Sequence, residues 1–269
     1  MAASIGVQGQ VVSWAGTFNS AMLALMKPAA FTINQQAQEF DTTGYNSSNA
    51  AIASDYLRGL RQWSGSIEGF NATPVNGIAA SISGTAYSTN ARAWGIDIEC
   101  DAKDTTAWTV TNSWRTFKPG LQRWGGFYEC LVDDTTVTEP VLGNSGGAPE
   151  EPLSATFTIS SGNTWAGSIF TTGVQIVSRV GDLNVIRHTF RGSGQLGING
   201  SAAFLPDNDT GSPAMVAMVA GSLILEADDG VTYTGSAFPT RMSLSVGVGD
   251  VTRCSVSLQG TGECAHAAV

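Results

Sequence analysis

Charge is scarce in this chain. Asp, Glu, Lys and Arg make up 13% of its 269 residues, about half the usual share for a globular domain. Gly, Ser and Thr take their place, and these are indifferent helix formers that suit strands and turns. Many strands and turns are therefore expected rather than long helices. Histidine is scarcer still, at His188 and His266 alone. His188 sits between Arg187 and Thr189 with no G-x-S-x-G nearby, and His266 lies close to the C-terminus. A Ser/His/Asp triad has nothing to build on, so the chain reads as a non-enzyme. The four cysteines, Cys100, Cys130, Cys254 and Cys264, form no C-x-x-C pair. They read as free, mostly buried thiols of a reducing compartment, because a zinc site would need more histidine partners. A basic excess is also missing: 13 Lys+Arg face 22 Asp+Glu, a net charge of −9. A tight nucleic-acid binder shows the opposite sign. The longest apolar stretch, Met215–Leu225, is too short to span a bilayer, and the start lacks a basic n-region, so neither a membrane partner nor secretion is expected.

What is present is repetition. "GLRQWSGSIE" at 59–68 returns as "GLQRWGGFYE" at 120–129, with Gly59/Gly120, Leu60/Leu121, Trp63/Trp124, Gly65/Gly126 and Glu68/Glu129 identical. Residues 164–194 align without a gap to 232–262, with ten of 31 positions identical. Chance gives about two at ordinary residue frequencies. The shared positions include Gly167/Gly235, Phe170/Phe238 and Gly192/Gly260.

Each copy alternates with a period of two, the mark of a strand with one apolar and one polar face. Met242, Leu244, Val246 and Val248 alternate with Ser243, Ser245 and Gly247; the pattern resumes after Gly249-Asp250, which supplies a turn. The first half has the same plan with longer polar tips. One hairpin is expected over 30–41 and 57–70 with a tip at 42–56, another over 91–101 and 118–131 with a tip at 102–117. Two short helices are expected, at 19–28 ending on Pro28 and at 212–221 ending on Gly221. "EPVLGNSGGAPEEP" at 139–152 has a linker composition. The chain thus divides into 1–140, a linker at 141–152, and 153–269. Each half holds two long hairpins and a short flanking helix in a mainly β fold.

Alternation places Trp94, Ile96, Ile98 and Cys100 on one side of a strand and Asp97, Glu99 and Asp101 on the other. Glu68 and Glu129 fall on the equivalent polar face, and so do Arg187 and Arg191. Asp97, Glu99, Asp101 and Asp104, or "PDNDTG" at 206–211, could gather oxygens for Ca²⁺, but neither matches an EF-hand loop. "GSGQLGING" at 192–200 lacks the basic residue of a phosphate loop. No metal or cofactor is expected. Trp63, Trp94, Trp124 and Trp165 could stack on sugars, but their apolar face favours packing.

The stretches at 38–70 ("QEFDTTGY…YLRGLRQWSGSIEGF") and 243–263 ("SLSVGVGDVTRCSVSLQGTGE") resemble the long hairpins of tail tube proteins of long-tailed bacteriophages. The resemblance implies β-sandwich or barrel domains whose hairpins join into ring-shaped barrels stacked as a tube. Two such domains in one chain would make trimeric, pseudo-hexameric rings. Partners would be further copies of the chain together with tail terminator, tape measure and distal tail proteins. DNA would pass through without specific binding, and the chain would reside in the virion tail after assembly in the host cytoplasm. Under this resemblance Glu68, Asp97, Glu99, Asp101 and Glu129 would line a polar, negative lumen. The tips, with Asn46, Ser47, Ser48, Asn49, Trp108 and Asn112, would contact the next ring. Twenty-four strands about 4.8 Å apart and tilted about 40° give a barrel roughly 45–50 Å across, wide enough for a duplex. The residues also leave open a carbohydrate-binding β-sandwich module and a tube subunit of a contractile injection machine.

Overall fold

A computed structural model describes residues 10–15, 26–41, 56–71, 79–82, 85–86, 91–107, 113–131, 152–160, 163–178, 183–199, 220–228, 231–247 and 250–268. The fold is mainly β, and its thirteen strands belong to one antiparallel sheet. The four long hairpins stand where alternation places them. They are β2 (Met26–Asp41) with β3 (Tyr56–Asn71), β6 (Ala91–Asp104) with β7 (Phe117–Leu131), β9 (Asn163–Val177) with β10 (Val185–Asn199), and β12 (Val231–Gly247) with β13 (Arg253–Ala268). Shorter strands complete the sheet: β1 (Gln10–Ala15), β4 (Ala79–Ile82), β5 (Thr85–Ala86), β8 (Leu153–Ser160) and β11 (Gly221–Asp228).

The two expected helices meet strand at their described ends. Met26, Lys27 and Pro28 already belong to β2, and Gly221 opens β11; 19–25 and 212–219 lie outside the described residues. Pro28 is tolerated because, among the described residues, β2 has a neighbour on one side only and a bulge follows at once. The linker, too, falls almost wholly outside the described residues.

Hydrogen bonding does not follow chain order. The eight long strands run β2-β3-β13-β12-β6-β7-β10-β9. The first hairpin therefore pairs with the last and the second with the third. We name the two groups unit A (β1, β2, β3, β11, β12, β13) and unit B (β4 to β10). Unit B is contiguous, and unit A closes around it from both ends of the chain. Pairing crosses the 141–152 stretch at β1–β11, β3–β13, β4–β8, β6–β12 and β7–β10.

The two units share the same pairing register, strand by strand. Ser64 faces Gln259 in A, and Gly125 faces Arg191 in B, 61 and 68 residues away. Leu153 faces Ile169 as Gly221 faces Ala237. Even the irregularities match: β2 bulges at 29 and 38, and β6 at the equivalent 92 and 101. Gly194 and Gly262 are equivalent and have φ of 72° and 76°, a left-handed conformation that glycine adopts at little cost. Each lies in a bulge of its strand pair.

The repeated tryptophans explain the repeated glycines. Trp63 lies against Gly235 and Gly260, and Trp124 against Gly167 and Gly192. A Cβ on Gly235 or Gly167 would come 2.6 Å from the indole, so only hydrogen fits. Both tryptophans are buried, at 2% and 6% exposure. β8 and β11 cover the apolar face. Phe157 of β8 packs on Trp94 (5.5 Å between ring centroids) and stacks on Phe190 (5.2 Å), while Leu223 and Leu225 of β11 join the same core as Trp63. Burying one such side chain contributes roughly 2–3 kcal/mol.

Candidate functional site

With the apolar face covered, the other face of the eight long strands carries the polar groups. β12 and β6 bring Arg241 opposite Glu99 and Ser243 opposite Asp97. β6 and β7 bring Glu99 opposite Arg123, and β7 and β10 bring Glu129 opposite Arg187. Glu68 stands opposite Ser255. Alternation thus gathers Glu68, Asp97, Glu99, Asp101 and Glu129 on one face, together with arginines.

Four of these five carboxylates are paired. Arg123 Nε lies 2.7 Å from Glu99, and its Nη2 lies 3.6 Å from Asp101. Arg187 lies 3.1 Å from Glu129 and Arg241 3.3 Å from Asp97, which also bonds with the Ser243 hydroxyl. The expectation of a negative lining gives way here. Five carboxylates share the face with five guanidinium groups, those of Arg123, Arg187, Arg191, Arg241 and Arg253. Arg187 and Arg191 were legible from alternation. Arg123 was equally legible, two residues before Gly125 on the same strand. Arg241 and Arg253 required knowing that β12 and β13 belong to this face. Solvent and salt screen these half-exposed pairs, so they add little to stability.

At the centre of the face Phe127 lies over Gly95, where a Cβ would come within 2.6 Å of the ring. The Arg187 guanidinium sits 3.9 Å from the Phe127 centroid. A shallow depression of about 330 Å³ surrounds this group, lined by Asp97, Glu99, Arg123, Arg187, Arg191 and Arg241 among others. Among the described residues it holds no nucleophile with an adjacent base. It presents carboxylates and guanidinium groups side by side.

The remaining candidates separate. Asp104 accepts from the Thr106 N–H (2.9 Å) and lies 3.5 Å from Arg115; hydrogen bonding from the Thr106 hydroxyl, then from its N–H, holds its carboxyl below the usual range. Among the described residues no three His, Cys, Asp or Glu side chains are grouped to hold a metal ion. His188 is fully buried, stacks on Tyr128 at 4.5 Å, and is pushed down to about 4 by desolvation. Neither of its nitrogens has a hydrogen-bond partner among the described residues. His266 belongs to β13, packed at 5.3 Å from Tyr233. All four cysteines are free and buried, and burial pushes Cys130 up to about 11 and Cys254 up to about 12. Residues 206–211 and the tip positions Asn46, Ser47, Ser48, Asn49, Trp108 and Asn112 lie outside the described residues.

The row of long strands ends in two unlike edges. Among the described residues, β2 on one side pairs with β3 alone, and on the other β9 beyond Phe170 pairs with β10 alone. No protein-family model matches the chain, and no curated protein matches it.

Proposed function

We propose that this chain is a structural subunit of a bacteriophage tail tube. Three copies close into a ring, and stacked rings enclose a lumen that conducts DNA. The observation that carries this reading is the duplication. Two register-equivalent units of four long strands are joined edge to edge by β12 and β6, so one chain resembles two consecutive segments of a larger barrel. Three chains supply 24 long strands, the number for which the bore admits a duplex. Each unit stands for one tube-like domain and takes one hairpin from each side of 141–152. The polar face forms the lining. Its balanced charge suits a conduit, since a polyanion finds neither a cationic patch to bind nor a uniform field to repel it.

The carbohydrate-binding reading draws no support from the tryptophans. Trp63, Trp94, Trp124 and Trp165 are 0–6% exposed and offer sugars no platform. Negative-stain microscopy and sedimentation of the purified chain test the tube. Hollow filaments of uniform bore are expected. A chain that stays monomeric at every concentration overturns the proposal.

A further inference from the structure

The molecule contains one worked example of how its own edges join. β12 meets β6 antiparallel from Arg241↔Glu99 to Gly247↔Ala93. Leu244 and Ile96 stand opposite each other there, 6% and 1% exposed. The register equivalence of the two units carries this junction to the outer edges. β12 corresponds to β9 and β6 to β2, so Ser243/Asp97 becomes Gln175/Asn34, and Leu244/Ile96 becomes Ile176/Ile33.

These outer positions have no strand opposite them among the described residues, and Ile176 is 57% exposed. Neither 171–178 ("TTGVQIVS") nor 30–37 ("AFTINQQA") contains a charged residue or a proline. Edges that must stay single usually carry such residues, because bare backbone donors and acceptors recruit another strand.

We infer that β9 of one copy pairs antiparallel with β2 of a second copy of this chain, with Gln175 opposite Asn34 and Ile176 opposite Ile33. The occupant is a second copy because β2 already matches β6, the strand that fills the same place inside the chain, down to the position of both bulges. The pairing sets isoleucine on isoleucine over the core and amide on amide over the polar face. Since the two edges differ, the contact is head to tail and propagates until it closes. The inference deepens the tube proposal and rests on it only for the number of copies in a ring.

Disulfide trapping tests the register. Residues 34 and 175 are exposed, and the four native thiols are buried. Mixing Asn34→Cys with Gln175→Cys chains under mild oxidation should give covalent dimers. The double variant should give a ladder of multimers, several-fold stronger than Asn34→Cys/Val177→Cys, which is two residues out of register. Ile176→Asp should cut assembly at least tenfold and leave the melting of the monomer unchanged. Equal trapping in the shifted pair, or assembly indifferent to Ile176→Asp, overturns the inference. Tubes that form while the introduced thiols stay reduced sink the register and spare the tube. Trapped closed rings that never stack sink the tube and spare the register. Persistent monomers sink both.

Discussion

Units A and B share a backbone and differ in what fills it. At the centre of B stand Tyr128, His188, Phe190 and Phe157; at the equivalent places in A stand Ile67, Val256, Leu258 and Leu225. All eight are buried. Part of the extra volume in B is offset where Ala155 replaces the equivalent Leu223. The features identical in both units are the points of closest approach: tryptophan against paired glycines, a left-handed glycine, and bulges at matching positions. Shape at those points is set by the backbone, whereas the space between them accepts aliphatic or aromatic side chains of suitable total volume.

The largest test of that comparison removes the shared element. Trp63→Ala and Trp124→Ala should each lower the unfolding free energy by about 3–5 kcal/mol in urea titrations, as large core truncations do. The two sites then separate under a gentler change. Trp124 donates its indole N–H to the Gly194 carbonyl at 3.0 Å, while Trp63 Nε1 has no acceptor among the described residues. Trp124→Phe should therefore cost about 1 kcal/mol more than Trp63→Phe. Equal costs would mean that packing alone fixes both rings.

A second test exploits the histidine that B buries where A has a valine. His188 is held near 4 in the folded chain against an ordinary value of 6.5. Above about pH 6.5 it is neutral in both folded and unfolded states. Between 6.5 and 4 the unfolded chain takes up the proton and the folded chain does not, so stability falls as pH falls. The loss should approach on the order of 3 kcal/mol near pH 4. His188→Val, which installs the residue A has at Val256, should flatten that part of the stability–pH curve. A variant that keeps the full slope would place the acid sensitivity elsewhere.

The comparison also explains what could be read in advance. Hairpin bounds were legible because alternation is a local signal: Trp94, Ile96 and Ile98 announce a buried face within five residues. The likeness of 59–68 to 120–129 was legible as well. Which hairpin pairs with which was not. Like hairpins occupy equivalent places in different units and are not partners within one, so the repeat identifies equivalents and is silent about neighbours. β3 with β13 is a pairing across most of the chain, and nothing near Ser64 points to Gln259. The charge of the polar face was misjudged for the same reason, since Arg241 and Arg253 arrive from the far end of the sequence.

The smallest test concerns the polar face, where A has Ser66 and Ser255 and B has Phe127 and Arg187. Arg187 is tied both to Glu129 and to the Phe127 ring. Arg187→Ser, which copies A, should cost about 1 kcal/mol, and salt should divide that cost. At 1 M the Debye length is about 3 Å, which largely removes a half-exposed ion pair and leaves the ring contact. Arg187→Lys keeps the charge near Glu129 but loses the planar stack. If the lysine variant behaves like native chain at low salt and like the serine variant at high salt, the ion pair and the ring contribute separately. If lysine equals serine at every salt concentration, the stack over Phe127 is what distinguishes B from A on this face.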